Sequence, residues 1–325
     1  MTNPAYSNEF FNIAQLRDTI RSHALSHTVS QQTVLDNKQR NLSNILAELS
    51  PKQHAWWFGN RSVNTISDLE SCDAVSASRV QELQAVAPHG IFGSGELMMT
   101  SSGSTGRRKV VSCDLEHWFR YFTGCSRQLF AAGVDHTDRV LTTDPGMMQS
   151  GYRALEDAAK YGVGAQIVID RTTSMTRKLE MIAEHDVTVL IANPVKLMRM
   201  AKLQPHRYLK RPLKAIISTG MPLEHPEIIK SAFKTDKLYD VFGSVEISQI
   251  YFTCQHGHRH VNDDLLHVVN KQGKSLYSNV WSLPVFNLDS GDYLEYSYKG
   301  QCDCGSYLPT VDVFVSKSYL GIDKQ

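Results

Sequence analysis

From Arg139 to Phe242 the chain alternates two different hydrophobic periods, and this restricts its fold more than any other property. Short β-branched runs recur at Val140-Leu-Thr-Thr143, Gln166-Ile-Val-Ile169, Val187-Thr-Val-Leu-Ile191, Lys214-Ala-Ile-Ile-Ser218 and Leu238-Tyr-Asp-Val-Phe242. Between them, residues 150–162, 173–185, 194–204 and 222–234 have helical length and pattern. Strand and helix taking turns predict a mostly parallel sheet flanked by helices, an α/β fold. Upstream, Phe10 to Leu49 carries apolar residues at helical spacing (Ile13, Leu16, Ile20, then Leu42, Ile45, Leu46), and Pro51 is expected to end that run. The segment from Ile66 to about Leu83 reads as two short helices joined by a turn. After Glu246 the runs shorten, Gly turns appear and His and Cys cluster, with strands expected around Leu265-Leu-His-Val-Val269 and Asp292-Tyr-Leu-Glu-Tyr-Ser-Tyr298. The expected organisation is an α/β core with a helical N-terminal segment over residues 1–248 and a small antiparallel β subdomain over 249–325.

Length and charge limit the class of partner. At 325 residues the chain holds one large or two modest domains, by a prior of ~150 residues per domain. Lys and Arg number 34 against 33 Asp and Glu, so no global charge favours nucleic acid or an anionic membrane, and a small-molecule or protein partner is expected. No run of ~18 apolar residues occurs and the N-terminus lacks a basic flank before an apolar stretch, so a cytoplasmic protein is expected. The six cysteines (Cys72, Cys113, Cys125, Cys254, Cys302, Cys304) are too unevenly placed for a disulfide framework.

Thr100-Ser-Ser-Gly-Ser-Thr-Gly-Arg-Arg-Lys109 concentrates hydroxyl and glycine residues before three cations. Small residues let the backbone approach a polyanion, hydroxyl and amide groups donate to its oxygens, and Arg107, Arg108 and Lys109 supply charge. Taken alone, such a run also suits a flexible surface loop. The spacings of a Walker loop and of a Rossmann turn are both absent.

The run resembles the TSGTTGxPK signature of the adenylate-forming superfamily of acyl-CoA synthetases, adenylation domains and luciferases, with Arg108 in place of the usual proline. Further segments resemble later signatures of that superfamily, in order. Ser218-Thr-Gly-Met-Pro222 is similar to the turn along the adenine, Val241-Phe-Gly-Ser-Val-Glu246 to YGxTE, and Leu283-Pro-Val-Phe-Asn-Leu-Asp-Ser-Gly-Asp292 to RYxTGD, with Asn287 and Leu288 replacing Arg-Tyr. Singly, Glu246 could be a solvated cap and Asp292 a turn residue.

The resemblance implies ATP and Mg²⁺ as cofactors. Thr100, Ser101, Ser102, Gly103, Ser104, Thr105 and Gly106 would hold phosphate, Ser218, Thr219, Gly220, Phe242 and Gly243 would lie along the adenine, and Ser244 would approach the α-phosphate. Asp292 would accept from the ribose hydroxyls, and Thr105, Lys109 and Glu246 would be the catalytic groups, with Glu246 on Mg²⁺, a hard cation that prefers oxygen ligands. The acid substrate is expected beyond the carboxyl ends of the strands, in a pocket walled by Met147, Met148, Tyr152, Val245 and Gln249. An apolar wall of this kind suits an aryl or acyl acid. The activity implied is ATP-dependent adenylation of a carboxylic acid to acyl-AMP, followed by transfer to CoA, an acyl carrier protein or a protein thiol. The alternative is a catalytically silent paralogue that binds nucleotide or a partner protein.

Within the superfamily the chain resembles the phenylacetate-CoA ligase branch through Ile66-Ser-Asp-Leu69, Cys254-Gln-His-Gly-His-Arg-His-Val-Asn-Asp-Asp264 and Cys302-Asp-Cys-Gly305. Cys254, His260, Cys302 and Cys304 make a Cys₃His set suited to tetrahedral structural Zn²⁺, with His256 and His258 as competitors for the histidine role. The resemblance also implies a mobile, lysine-bearing domain after the hinge near Val311–Lys317. The sequence to Gln325 does not contain one. The reading is therefore of a large domain alone, either a piece of a longer chain or a naturally short member, with a separate lysine-bearing domain as a partner.

Overall fold

The structure is a computed structural model that describes residues 13–80, 97–100, 110–143, 150–163, 165–167, 169, 172–221 and 223–316. Two helices, α1 (Ile13–Leu25) and α2 (Gln31–Ala47), form the expected helical segment, and Ser30 caps α2 by accepting from the Thr33 amide. Pro51 does not end the helical region. It starts α3 (Pro51–Phe58), because proline is tolerated at the first helical position and Ser50 and Gln53 form a reciprocal capping box. A short α4 (Ile66–Ser71) follows, β1 (Val75–Ser76) in the expected turn pairs parallel to a later strand, and residues 77–80 are helical as expected.

β2 (Leu97–Thr100) and β3 (Val110–Cys113) are antiparallel, with Thr100 opposite Val110. The two ends of the phosphate-loop sequence are therefore pinned side by side. Asp114 then caps α5 (Leu115–Ala131), a long amphipathic helix that the sequence reading did not anticipate, by accepting from the His117 amide at 2.7 Å.

The expected alternation follows. In order come β4 (Arg139–Thr142), α6 (Ser150–Asp157) continued by a π-helical stretch, β5 (Ala165–Ile167), α7 (Met175–Glu184), β6 (Val189–Ala192), α8 (Pro194–Lys202), β7 (Ala215–Thr219), α9 (Pro226–Phe233) and β8 (Leu238–Ser244). The strands pair in parallel in the order β5-β4-β6-β7-β8. Val189, Ile191, Ala215 and Ile217 point into a core shared with α5 and α6, whereas Leu141, Leu190 and Ile216 point into one built with α7, α8 and α9. Burial on both faces explains why these strands read as continuous apolar runs.

Antiparallel strands complete the fold: β9 (Ser248–Thr253), β10 (Arg259–Val261), β11 (Leu266–Lys271), β12 (Lys274–Asn279), β13 (Val285–Asp289), β14 (Tyr293–Ser297) and β15 (Thr310–Val315). β9, β10, β15 and β14 extend the parallel sheet beyond β8, giving nine strands, while β11, β12 and β13 join β1 in a separate four-stranded sheet. The division expected at 248/249 falls inside the β8–β9 hairpin, so one sheet runs across it. Among the described residues no helix is long and apolar enough to cross a membrane.

Candidate functional site

Adjacent parallel strands β7 and β8 deliver the two segments expected to lie along an adenine to one edge. Thr219 is in register with Val241, so Gly220 and Gly243 follow at neighbouring strand ends, both exposed, beside a half-buried Phe242. Bare backbone next to a ring face can receive a flat ligand without displacing side chains. Gly243 is also required internally: a Cβ there would lie 2.2 Å from the Ser248 carbonyl oxygen. The Phe242 ring packs on Phe314 at 4.7 Å and on Tyr251 at 6.0 Å.

The turn from β8 into β9 is tight. The Ile247 amide donates to Ser244 Oγ at 3.2 Å, and Tyr121 of α5 donates its hydroxyl to the Ser244 carbonyl at 3.1 Å. Glu246 sits in this turn yet is only 2% exposed. Val245 and Gln249 are buried beside it, and among the described residues neither polar atom of the Gln249 side-chain amide nor the buried Ser218 Oγ on β7 has a hydrogen-bond partner.

Asp292 follows the Ser290–Gly291 turn, 5% exposed, with Oδ1 accepting from Ser316 at 3.0 Å and Oδ2 from Ser290 at 3.1 Å. Asn287, where the superfamily signature has arginine, anchors the end of α4: its amide donates to the Leu69 carbonyl at 2.8 Å and its own backbone donates to Ser278 Oγ. This bracing role carried no signal in the sequence. Tyr152 is in the core rather than on an open wall, with its hydroxyl donating to the Thr219 carbonyl at 3.2 Å. It supports the Gly220 turn from behind. Ser101, Ser102, Gly103, Ser104, Thr105, Gly106, Lys109, Met147 and Met148 lie outside the described residues, as does the Thr100 side chain.

The cysteine and histidine cluster assembles from two turns that share one hydrogen-bond pattern. The Cys254 amide donates to the His258 carbonyl and the Gly257 amide to the Cys254 carbonyl, and the same pair of bonds recurs from Cys302 to Ser306 and from Gly305 to Cys302. Each fourth residue is a glycine with positive φ, 81° at Gly257 and 88° at Gly305. Ligand atoms of Cys254, His258, His260 and Cys302 lie within 4.8 Å of one another. Cys304 adjoins them, its Sγ 3.4 Å from His260 Nε2. His258 thus stands beside His260 rather than in its stead, its Nδ1 3.2 Å from Cys302 Sγ, whereas the exposed His256 ring faces Gln255. His260 Nδ1 faces the Leu308 carbonyl at 3.2 Å, which leaves Nε2 turned toward the thiols. A hydrogen bond from the Cys304 thiol holds Cys254 far below the usual thiol range and correspondingly raises Cys304.

Relatives of the chain fall in one group. An acyl–CoA ligase of Bacillus subtilis, YhfT, described as uncharacterized, is 27% identical over 188 residues, covering 57% of this chain and 37% of the relative. A 2-succinylbenzoate–CoA ligase of Bacillus velezensis is 27% identical over 180 residues, covering 53% of this chain and 36% of the relative. The matches thus span little more than a third of these curated relatives. Among solved structures, a 2-hydroxyisobutyryl-CoA ligase in complex with 2-HIB-AMP and CoA superposes with a TM-score of 0.65 at 16% identity, over 92% of this chain and 72% of that one, a likeness of fold. The profile of the AMP-binding enzymes matches residues 15–284. By that match, which takes in most of its length, the chain belongs to the AMP-binding enzyme family.

Proposed function

We propose that this chain carries the nucleotide and acid sites of an ATP-dependent carboxylic-acid ligase that forms acyl-AMP from an aryl or acyl acid. The observation that carries this reading is the pair of exposed glycines at the ends of β7 and β8, set beside Phe242, in a chain of the AMP-binding family. A carboxylate oxygen attacks the α-phosphorus of ATP, the bond to the bridging oxygen of the β-phosphate breaks, and pyrophosphate leaves. The work falls mainly to positioning and to offsetting charge. Ser244 is assigned to the α-phosphate, and Thr105 and Lys109 to catalysis, by the superfamily resemblance, and Asp292 would exchange its serine partners for the ribose diol. The buried Glu246 carboxylate suits Mg²⁺, which would neutralise phosphate charge when bound.

CoA is the acyl acceptor favoured by the names of the relatives, with a carrier protein or protein thiol as the alternatives. A lysine-bearing domain supplied by a partner is proposed for the transfer half of the reaction. The unpartnered Gln249 amide supports an acid with a polar substituent at that wall.

The Cys and His cluster is proposed as a structural Zn²⁺ site of the kind found in the phenylacetate-CoA ligase branch. Its donors suit the metal: soft thiolates and neutral imidazole, with His260 oriented through its second nitrogen by the Leu308 carbonyl. Cys254, His260, Cys302 and Cys304 are the proposed ligands, with His258 as the alternative to Cys304.

Pyrophosphate release from ATP, measured over a panel of aryl and fatty acids, tests the reaction. Release that depends on one class of acid is expected. ATP binding with no acid-dependent release would instead mark a silent nucleotide-binding paralogue.

A further inference from the structure

α1, α2 and α5 meet without closing a core between them. They enclose a cavity of ≈ 490 Å³, floored by Trp281 and Leu265, within the range of small-molecule sites. Its walls are polar. α2 contributes Arg40 and three asparagines, α1 contributes His23, and α5 contributes Arg120, Thr123 and Arg127.

The charge on these walls is unevenly met. Arg127 is paired with Asp264 through contacts of 2.6 and 2.7 Å, and Arg120 with Glu48 at 2.8 Å and Glu116 at 2.5 Å. Arg40 bonds the Asn37 side-chain oxygen, and among the described residues no carboxylate pairs with it. Two of the arginines bear on His23, whose ring lies 5.1 Å from that of Trp281: burial, Arg127 and Arg40 all disfavour its protonation, against Asp264. Behind the α5 wall, Thr123 Oγ1 and Arg127 Nε are buried and have no hydrogen-bond partner among the described residues.

We infer that this cavity is a second ligand site, one for a phosphate-bearing small molecule. Guanidinium groups and hydroxyls reach it from three helices, and hence from three sides, which suits the tetrahedral array of acceptors on a phosphate better than a planar carboxylate that one arginine fork could satisfy. The volume leaves room for an organic group beside the phosphate. The site stands apart from the nucleotide edge: the Arg120, Thr123 and Arg127 side of α5 faces the cavity, while Tyr121 of the same helix reaches the β8–β9 turn.

The test is a titration of the whole chain with inorganic phosphate, followed by calorimetry and by tryptophan fluorescence. Saturable binding is expected with half-saturation at or below about 1 mM. The fluorescence change should vanish in Trp281→Phe, and loss of one charge-assisted bond in Arg40→Gln should weaken binding about tenfold or more. Arg40 is exposed, so its variant should fold as the parent does, which circular dichroism checks. Asp292→Asn, altered only at the proposed nucleotide edge, should bind phosphate as the parent does even if ATP binding proves to lie elsewhere. Equal phosphate affinity in Arg40→Gln, loss of binding in Asp292→Asn, or no saturable binding by the parent would each overturn the inference.

Discussion

Arg127 and Asp264 meet fork to fork, Nη1 on Oδ1 at 2.6 Å and Nη2 on Oδ2 at 2.7 Å, both side chains 1% exposed. The neighbouring acid Asp263 accepts from Lys38 at 2.8 Å and from the hydroxyls of Tyr296 and Tyr298. Two consecutive carboxylates thus tie α5 and α2 to the loop between β10 and β11. Removing one partner of a buried pair strands the other charge, so Asp264→Ala should lower unfolding free energy by about 3–5 kcal/mol. Urea denaturation measures this, and Asp264→Asn, which keeps one acceptor for the guanidinium, should cost less.

Gly243→Ala should disturb the nucleotide edge directly. The added Cβ would meet the Ser248 carbonyl at 2.2 Å, and because that atom is backbone the hairpin has to shift as a unit. Overpacking of this kind costs about 1–3 kcal/mol. ATP titration should reveal a loss of affinity larger than the fall in melting temperature would suggest, since the displaced turn also carries Ser244 and Glu246.

Acid should destabilise the protein from near neutrality. His267 is buried in the four-stranded sheet, and burial, with help from Lys38 and Lys271 against Asp263, holds its imidazole down at about 3. Glu70 Oε1 lies 3.1 Å from its Nε2, but Glu70 is half-exposed and does not reverse the shift. The folded value lies below the unfolded value of 6.5, so between these limits the unfolded chain binds the extra proton. Stability is therefore fully present above pH 6.5 and declines as pH falls toward 3, by at most about 1.4 kcal/mol per unit from this group. Denaturation midpoints across that range should fall less steeply in His267→Gln.

The Cys and His cluster makes a chemical prediction. Protein purified without added metal should contain about one Zn²⁺ per chain, as expected for a closed four-ligand site. Cys302→Ser should lose the metal and melt at lower temperature, because metal affinity and folding are coupled. Metal content in Cys304→Ser and His258→Ala identifies the fourth ligand: whichever substitution releases zinc names it. Metal-free protein of unchanged stability would argue against the site.

The α/β alternation, the small-residue segments holding Gly220 and Gly243, and the Cys and His spacing within each of the two cluster turns were legible in the sequence. Each is written in consecutive residues, as a hydrophobic period, a small-residue turn or a ligand spacing, and such signals need no knowledge of what lies opposite. Tertiary structure decided the rest. One sheet runs across 248/249 because β9 finds its partner in β8. Tyr152 leaves the expected pocket for the core, His258 joins the Cys and His cluster, and Asn287 braces α4. The pairing of Arg127 with Asp264 spans 137 positions, and the polar cavity beside it needs three helices to enclose it. Contacts of that range depend on how strands order and helices cross, quantities to which every element contributes and which no local window contains.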